Sequence, residues 1–306
     1  MRVGIPRGLL YCRYYPFIMT FLEELDADYI VSESTNKSIL NEGVKYSVDE
    51  ACLPIKIFHG HVASLKNKCD FIIVPRIMKV EENEFICPKF CGLPEMIKNS
   101  IDGLPEITEL PLDISSEKSS YNWCKYIGQK LKANSKDIKE AYNKALKAQK
   151  KVQLGIKNIN YKINIALLGH PYNVYDEFVN MNLVKKLNKL GVGVITEEFI
   201  KKEYIDMEVK KLFKRPFWNF AKNSYGAAAN FYKSKNVDGI IYISSFACGI
   251  DSVVIELIKD RIGKFPLLVL KVDEQTGEAG FMTRIEAFTD MIERRKNFEN
   301  NISKLG

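Results

Sequence analysis

The sequence predicts an α/β protein with two domains, each built around a mainly parallel sheet. Three observations lead to this fold class. Short runs rich in β-branched apolar residues alternate with longer amphipathic stretches, as strands alternate with helices. The short runs are apolar throughout, as expected for parallel strands that are buried on both faces. The length of 306 residues suggests two domains, because one domain usually takes roughly 100–200 residues.

The N-terminal domain is predicted to cover residues 1–155 and to end in a lysine-rich helix. This helix spans Lys136–Leu154, with Ser135 as its N-cap and apolar residues at helical spacing along one side. Four predicted strands precede it: Arg2–Pro6, Tyr29–Ser32, Phe71–Pro75 and Ile107–Leu110.

The C-terminal domain is predicted to cover residues 156–306, because the strand pattern restarts after Asn158. Its predicted strands are Ile163–Leu168, Gly193–Thr196, Gly239–Ser244 and Leu267–Val272. Its predicted helices are Asp176–Leu190, Ser224–Ser234, Ser252–Ile262 and Thr283–Arg295. Strands alternating with helices in both halves predict two Rossmann-like or flavodoxin-like domains with parallel sheets.

The net charge of +7 is concentrated between residues 121 and 160, which hold ten lysines and two acidic residues. The solvated face of a helix explains such a stripe, and a docking surface for an acidic partner or a nucleotide-like ligand is the alternative. No nucleic-acid-binding motif accompanies the stripe, so nucleic acid is not favoured as a partner. No run of about 18 uncharged apolar residues occurs and the N-terminus lacks signal-peptide character, so we expect a cytoplasmic protein with no membrane span.

Three cysteines, Cys52, Cys87 and Cys248, lie in predicted loops rich in glycine and proline. Cys-Pro and Cys-Gly steps suit iron–sulfur ligation, since the open backbone lets N–H groups point at sulfide and the proline ring excludes water. Their spacing is less specific, because the only close pair is Cys87 and Cys91. Buried structural cysteines, a zinc site, and a nucleophilic Cys248 with His170 as its base remain open alternatives.

The remaining cysteines and histidines have less specific surroundings. His59 and His61 follow Cys52, either as a pair at a helix end or as proton-transfer groups near a cluster. Packing positions are predicted for Cys12, Cys69 and Cys124. The chain has neither a phosphate-binding loop nor a strand-linked GxGxxG motif, so ATPase machinery is not predicted within it.

Seven motifs spread along the chain are shared with one known superfamily. They are Gly4–Leu10, Glu50–Lys56 with His59–His61, Val74–Arg76, Cys87–Pro88, Gly169–Asn173, Cys248–Ser252 and Thr283–Phe288. Through them the chain resembles the 2-hydroxyacyl-CoA dehydratase / benzoyl-CoA reductase superfamily. Within it, the chain is most similar to the acyl-CoA dehydratase activase-related proteins, the CoA enzyme activase family (DUF2229).

The resemblance implies two α/β domains whose parallel sheets face a shared cleft, with a [4Fe-4S] cluster held there by Cys52, Cys87 and Cys248. It also implies that an ATP-dependent iron–sulfur activator supplies low-potential electrons to the chain. An acyl-CoA or another small molecule would be the substrate, in a reaction of the reductase or dehydratase-like lyase type. Paired subunits are common in the superfamily, so a homodimer is expected. Some relatives instead carry a double-cubane [8Fe-9S] cluster and reduce small molecules.

Further site residues follow from the same resemblance. Cys91 is an addition to the dehydratase pattern and a candidate fourth ligand, which would favour electron transfer over substrate binding. The expected groups close to the cluster or the substrate are His59, His61 and His170 as catalytic residues and Lys56 and Arg284 as cofactor-binding residues. Two other functions remain open: a non-catalytic cluster carrier or scaffold for a related enzyme, and a zinc or metal-free CoA-binding protein.

Overall fold

A computed structural model describes residues 1–302, with side chains described up to residue 298. The chain divides into two compact units. Unit 1 contains Met1–Leu154 together with Phe217–Asn219, and unit 2 contains Gly155–Pro216 and the residues from Phe220 onward. Both units combine helices with parallel strands, so the predicted α/β fold class is confirmed.

The main sheet of unit 1 has four parallel strands in the order β2-β1-β3-β6. Its strands are β1 (Val3–Ile5), β2 (Tyr29–Val31), β3 (Phe71–Ile72) and β6 (Glu106–Ile107). The helices of the unit are α1 (Tyr11–Glu23), α2 (Lys37–Lys45), α3 (Leu53–Leu65), α4 (Pro88–Cys91), α5 (Leu93–Ser100), α6 (Glu117–Lys130) and α7 (Ser135–Lys151). All four predicted strands therefore have counterparts, although they are shorter than predicted.

A second, three-stranded sheet in unit 1 was not predicted from the sequence. Its order is β5-β4-β7, with β4 (Arg76–Glu81) antiparallel to β5 (Glu84–Phe85) and parallel to β7 (Pro111–Asp113). The segment Phe217–Asn219 joins this region, because the ring of Phe217 stacks on Phe85 with centroids 4.6 Å apart. The sheet leads the chain into the loop that contains Cys87.

Helices α2 and α3 approach each other at two glycines. A Cβ atom on Gly43 would lie 1.9 Å from the carbonyl oxygen of Lys56, and one on Gly60 would lie 1.9 Å from that of Ile39. Any larger residue at either position would push the two backbones apart. Gly60 lies between His59 and His61, so the close packing of α2 on α3 explains why a glycine separates the two histidines.

Unit 2 contains one five-stranded sheet in the order β12-β11-β9-β10-β8. Four strands are parallel and match the predicted ones: β9 (Ile163–Gly169), β10 (Val192–Thr196), β11 (Gly239–Ser245) and β12 (Leu267–Val272). The fifth, β8 (Lys157–Asn158), is antiparallel to β10 and was not predicted. The central strands β9, β10 and β11 are almost completely buried, which explains their continuous apolar runs.

The predicted helix Asp176–Leu190 is wrong over its first half. Only α9 (Leu183–Lys189) is an α-helix, and the preceding residues form turns. The carboxylate of Asp176 accepts the backbone N–H of Phe178 and Val179, and the Asn180 amide donates to the carbonyl of Val174. Short polar side chains that bond to nearby backbone groups compete with a continuous helix.

The other predicted helices form, with different ends. In α7 the N-cap is Asn134 rather than Ser135, because the Asn134 side chain accepts the backbone N–H of Lys136 and Asp137. The helices of unit 2 are α8 (Pro171–Val174), α9 (Leu183–Lys189), a short 3₁₀ helix (Glu197–Phe199), α10 (Lys202–Val209), α11 (Asn219–Ser234), α12 (Gly249–Ile262) and α13 (Glu278–Ile302). No helix in the described part of the chain is both long enough and apolar enough to cross a membrane.

Candidate functional site

Three cysteines occupy the same local position, the residue immediately before a helix. Cys52 precedes α3, Cys87 precedes the one-turn helix α4, and Cys248 precedes α12. All three residues are half-buried, and no disulfide joins them to another described cysteine. The three motif cysteines therefore share one kind of position in the fold, although they lie far apart in the sequence.

The remaining cysteines have different surroundings. Cys124 is completely buried in α6, and burial raises the pKa of its thiol. Burial also raises the pKa of Cys69, whose thiol donates to the carbonyl of Leu65. Cys12 lies in the first turn of α1, and its thiol donates to the carbonyl of Leu9. A raised pKa disfavours the thiolate that a metal needs, so Cys69 and Cys124 make poor ligands.

The loop that contains Cys87 and Cys91 is anchored by Arg76. The Arg76 guanidinium donates to the carbonyl of Cys91 over 3.0 Å and to the carbonyl of Glu109 over 2.9 Å. It also pairs with the carboxylate of Glu95, and this contact lowers the pKa of Glu95. Cys91 is the last residue of α4, so Cys87 and Cys91 lie at opposite ends of one helical turn. Arg76 thus positions the turn that carries both thiols.

In unit 2, Cys248 lies beside a histidine and an aspartate. One ligand atom each from His170, Cys248 and Asp251 lies within 4.8 Å of the other two. His170 and Asp251 are buried, whereas Cys248 is half-buried. The turn between β11 and α12 contains Ala247 with φ of 60°, a left-handed conformation that side chains rarely adopt. This turn ends the strand and starts the helix within three residues.

The buried histidine and aspartate are held by two tyrosines. Nδ1 of His170 hydrogen-bonds to the Tyr172 hydroxyl, and Nε2 lies 3.1 Å from Oδ1 of Asp251. The Tyr242 hydroxyl donates to the same Oδ1 over 2.7 Å. Burial alone would raise the pKa of Asp251, but the charge of His170 and hydrogen bonds from His170, Ser244 and Tyr242 outweigh it and lower the pKa. Asp251 is therefore a carboxylate at neutral pH.

This geometry disfavours a Cys–His nucleophile. A general base must turn a ring nitrogen toward the thiol. His170 directs one nitrogen at Tyr172 and the other at Asp251. Among the described residues, Oδ2 of Asp251 is buried without a hydrogen-bond partner, whereas Nε2 of His170 faces Oδ1 of the same carboxylate. A cation bound beside Cys248 would satisfy Oδ2.

Two neighbouring pockets lie in unit 2, and Cys248 lines one of them. One, of about 310 Å³, is lined by the turn from Ser244 to Gly249 together with Ser252 and Lys271. The other, of about 340 Å³, shares Ser252 and Lys271 and adds Lys259 and Arg284. Arg284 is exposed and donates to the backbone carbonyl of Val269. Lys271 therefore lines the same pocket as Cys248, whereas Lys259 and Arg284 line the neighbouring pocket.

Three predicted site residues lie on α3 in unit 1, where all are buried. Lys56 is 1% exposed, and Nδ1 of His59 hydrogen-bonds to the Ile55 carbonyl over 2.8 Å. Nδ1 of His61 contacts the Ser32 hydroxyl at 2.9 Å, and Nε2 contacts the Thr35 hydroxyl at 3.1 Å. Burial lowers the pKa of His59, and burial with the nearby Arg7 lowers that of His61 to about 4. Both histidines are therefore neutral at neutral pH, and their catalytic role stays a prediction.

Two family descriptions match this sequence. The CoA enzyme activase uncharacterised domain (DUF2229) matches residues 2–200, and the 2-hydroxyglutaryl-CoA dehydratase D-component matches residues 115–292. Each match covers more than half of the chain. The chain belongs to the 2-hydroxyacyl-CoA dehydratase-related family. The resemblance predicted from the motifs is confirmed, and no curated protein matches the chain.

The two family matches cover different motif cysteines. The activase-type match contains Cys52, Cys87 and Cys91, whereas the dehydratase-type match contains Cys248. His170 lies in the part that both matches cover. Three motif cysteines therefore lie on the segment that one description matches, and the fourth lies on the segment that the other matches.

The sequence analysis missed three residues of the Cys248 surroundings. Asp251 stands three residues after Cys248, on the first turn of α12. That spacing is the signal that would have found it, because residues three apart on a helix are neighbours. Tyr172 and Tyr242 lie on other elements, and no sequence pattern links them to Asp251.

Proposed function

We propose that this chain is an iron–sulfur component of a dehydratase-type system, and that Cys52, Cys87 and Cys248 hold a [4Fe-4S] cluster. In this proposal, it accepts low-potential electrons from an ATP-dependent activator and passes them to a substrate or partner. One observation carries the proposal: each of these motif cysteines stands directly before a helix and is half-buried. Membership of the dehydratase-related family supports the same role.

The donor set fits an iron–sulfur cluster chemically. Cluster ligation requires cysteine thiolates, and Cys52, Cys87 and Cys248 are partly exposed cysteines without a disulfide to any described residue. By contrast, burial raises the pKa of the cysteines assigned to packing, Cys69 and Cys124. When bound, the cluster would supply one-electron transfer at low potential.

The residues around the thiols act as positioning groups. Tyr242 on β11 donates to Asp251 on α12, so the first turn of α12 is tied to the strand beside it. This contact fixes the turn that carries Cys248. In unit 1, Arg76 fixes the turn that carries Cys87 through the carbonyl of Cys91. Buried or charged hydrogen bonds of this kind hold metal ligands in place before the metal arrives.

Cys91 decides between two forms of this role. Three protein thiolates would leave one iron open to a substrate oxygen, whereas a fourth would close the cluster and favour electron transfer. The Cys91→Ala variant separates them. Unchanged iron content in this variant supports an open iron, and loss of iron supports Cys91 as a ligand.

The electron-transfer role is tested on the full chain purified without oxygen. The chain is mixed with a purified iron–sulfur ATPase of the activator type, a reductant and ATP. We expect the visible charge-transfer absorption to bleach only when ATP is present. Cys69→Ser serves as the matched control and should behave like the wild type, whereas Cys248→Ser should show no such absorption. A cluster that is present but never bleached with ATP would contradict the role.

A second candidate is a single divalent ion, such as zinc, bound by His170, Cys248 and Asp251. The observation that favours it is their closeness, since one ligand atom from each residue lies within 4.8 Å of the other two. In addition, Oδ2 of Asp251 is buried without a hydrogen-bond partner among the described residues. Imidazole, thiolate and carboxylate are all zinc ligands. The His170→Ala variant should lose a zinc ion bound in this way. If the metal is instead a cluster on three cysteines, the same variant should keep its iron and sulfide.

A further inference from the structure

Unit 1 contains an apolar pocket that the proposed cluster does not use. The pocket has a volume of about 140 Å³ and is lined almost entirely by apolar side chains. Its walls come from the Gly4–Leu10 motif, from α1 and α6, and from strands of both sheets of the unit. An engineered cavity of roughly this size, lined by leucine, isoleucine and phenylalanine, stays dry and binds benzene. A small apolar molecule is therefore the right size for this pocket.

The pocket offers no charge to a ligand. No lysine, arginine, aspartate, glutamate or histidine is among the described residues that line it. Tyr14 contributes a phenol, and burial raises its pKa, so this group also stays neutral at neutral pH. A carboxylate or phosphate placed there would lose its hydration without gaining a partner. The occupant is therefore uncharged.

One lining residue has an unused hydrogen-bond donor. Trp123 on α6 is 3% exposed, and within the described residues its indole Nε1 has no hydrogen-bond partner. The Gln149 amide also lines the pocket, but it accepts from the backbone N–H of Phe17 and donates to the carbonyl of Arg13. An indole N–H only donates, and leaving it buried without an acceptor is unfavourable. The missing partner is an acceptor, and a carbonyl oxygen is the simplest one.

The motif that shapes the pocket is locally strained. Leu9 adopts φ of 52°, a conformation that is rare for a branched side chain, and its side chain lines the pocket. A Cβ atom on Gly8 would lie 3.0 Å from the ring of Phe58, another lining residue. Strained backbone of this kind clusters at ligand-binding sites. The Gly4–Leu10 motif is therefore explained by the shape of this pocket and not by metal binding.

We propose that this pocket binds a small, uncharged apolar carbonyl compound. Its hydrocarbon part, about the size of benzene, packs among the apolar walls, and its carbonyl oxygen accepts a hydrogen bond from Nε1 of Trp123. This binding needs none of the motif cysteines, so it stands or falls separately from the metal centre.

The test compares two probes of the same shape on the full chain. Cyclohexanone carries the carbonyl, and methylenecyclohexane replaces its oxygen with a CH₂ group. Calorimetric titration is made with the wild type and with Trp123→Phe, which removes the donor and keeps an aromatic ring. We expect the variant to weaken cyclohexanone binding by roughly 3- to 10-fold, the effect of one lost hydrogen bond, and to leave methylenecyclohexane binding unchanged. Comparing both probes in both proteins cancels their different solubilities.

A second variant tests the location of the site. Ile18→Phe adds volume to a wall of the pocket and should weaken the binding of both probes to the same extent. Circular dichroism checks that each variant is folded. If Trp123→Phe does not fold, the proposal is judged from binding of the two probes to the wild type and to Ile18→Phe. The proposal is overturned if neither probe shows saturable binding to the wild type. It is also overturned if a folded Trp123→Phe variant loses affinity for both probes equally.

Discussion

The buried histidine His61 makes the stability of unit 1 depend on pH. Its ring is completely buried, and both nitrogens contact hydroxyl groups of Ser32 and Thr35. Burial, with a contribution from the charge of Arg7, lowers its pKa from 6.5 to about 4. The folded protein therefore favours the neutral ring, whereas the unfolded chain takes up a proton as the pH falls below 6.5. The stability that the neutral His61 ring contributes is fully present above that pH and is lost as the pH falls toward 4.

The size of the effect follows from the shift. Each pKa unit corresponds to about 1.4 kcal/mol, so the full shift is worth about 3 kcal/mol at low pH. Integrated between about pH 8 and about pH 5, the loss from His61 alone is about 2 kcal/mol. His59 adds to it in the same direction, because burial also lowers its pKa.

Urea unfolding followed by tryptophan fluorescence measures this loss. Both tryptophans, Trp123 and Trp218, belong to unit 1, so the signal reports that unit. The His61→Asn variant is less stable at every pH, since its contacts are weakened. Its free energy of unfolding should nevertheless fall by about 2 kcal/mol less than that of the wild type between the two pH values. Equal pH dependence in both proteins would refute the reasoning.

Two further predictions concern packing and a buried hydrogen bond. Gly60→Ala should destabilise unit 1 by about 1–3 kcal/mol or more, because the new Cβ would meet the Ile39 carbonyl. Gly92→Ala is the control and should leave the stability unchanged, because the space around Gly92 is open. The urea midpoint followed by tryptophan fluorescence measures both variants. If the two variants unfold alike, the close approach of α2 and α3 is wrong. Tyr242→Phe should destabilise unit 2 by about 1.5–3 kcal/mol, because it removes the donor to the Asp251 carboxylate. Urea unfolding followed by far-ultraviolet circular dichroism measures this loss, and an unchanged transition would count against a charged hydrogen bond at that place.

The strands were predictable where burial is uniform. Strands β9, β10 and β11 are covered on both faces, so their sequences are continuously apolar. Strand β4 is mostly half-buried and mixes charged with apolar residues, so it has no such pattern. The false helix start at Asp176 has a similar cause, because local side-chain hydrogen bonds override apolar spacing there.

The candidate site was predictable only in part. The cysteines were found because Cys-Pro and Cys-Gly steps and shared motifs mark them in the sequence. The closeness of His170 to Cys248 depends on the order of strands in the sheet, since the two residues follow β9 and β11, which are neighbours. Strand order is a tertiary property with no local signal. The same holds for the contact of Tyr242 with Asp251.

The most direct test of the central claim is the content of iron, acid-labile sulfide and zinc per chain, measured on protein purified without oxygen. The account predicts about four irons and about four sulfides per chain in the wild type. Iron and sulfide should fall sharply in Cys52→Ala, Cys87→Ala and Cys248→Ala. About one zinc per chain without sulfide, or iron that stays unchanged in all three variants, would contradict the account.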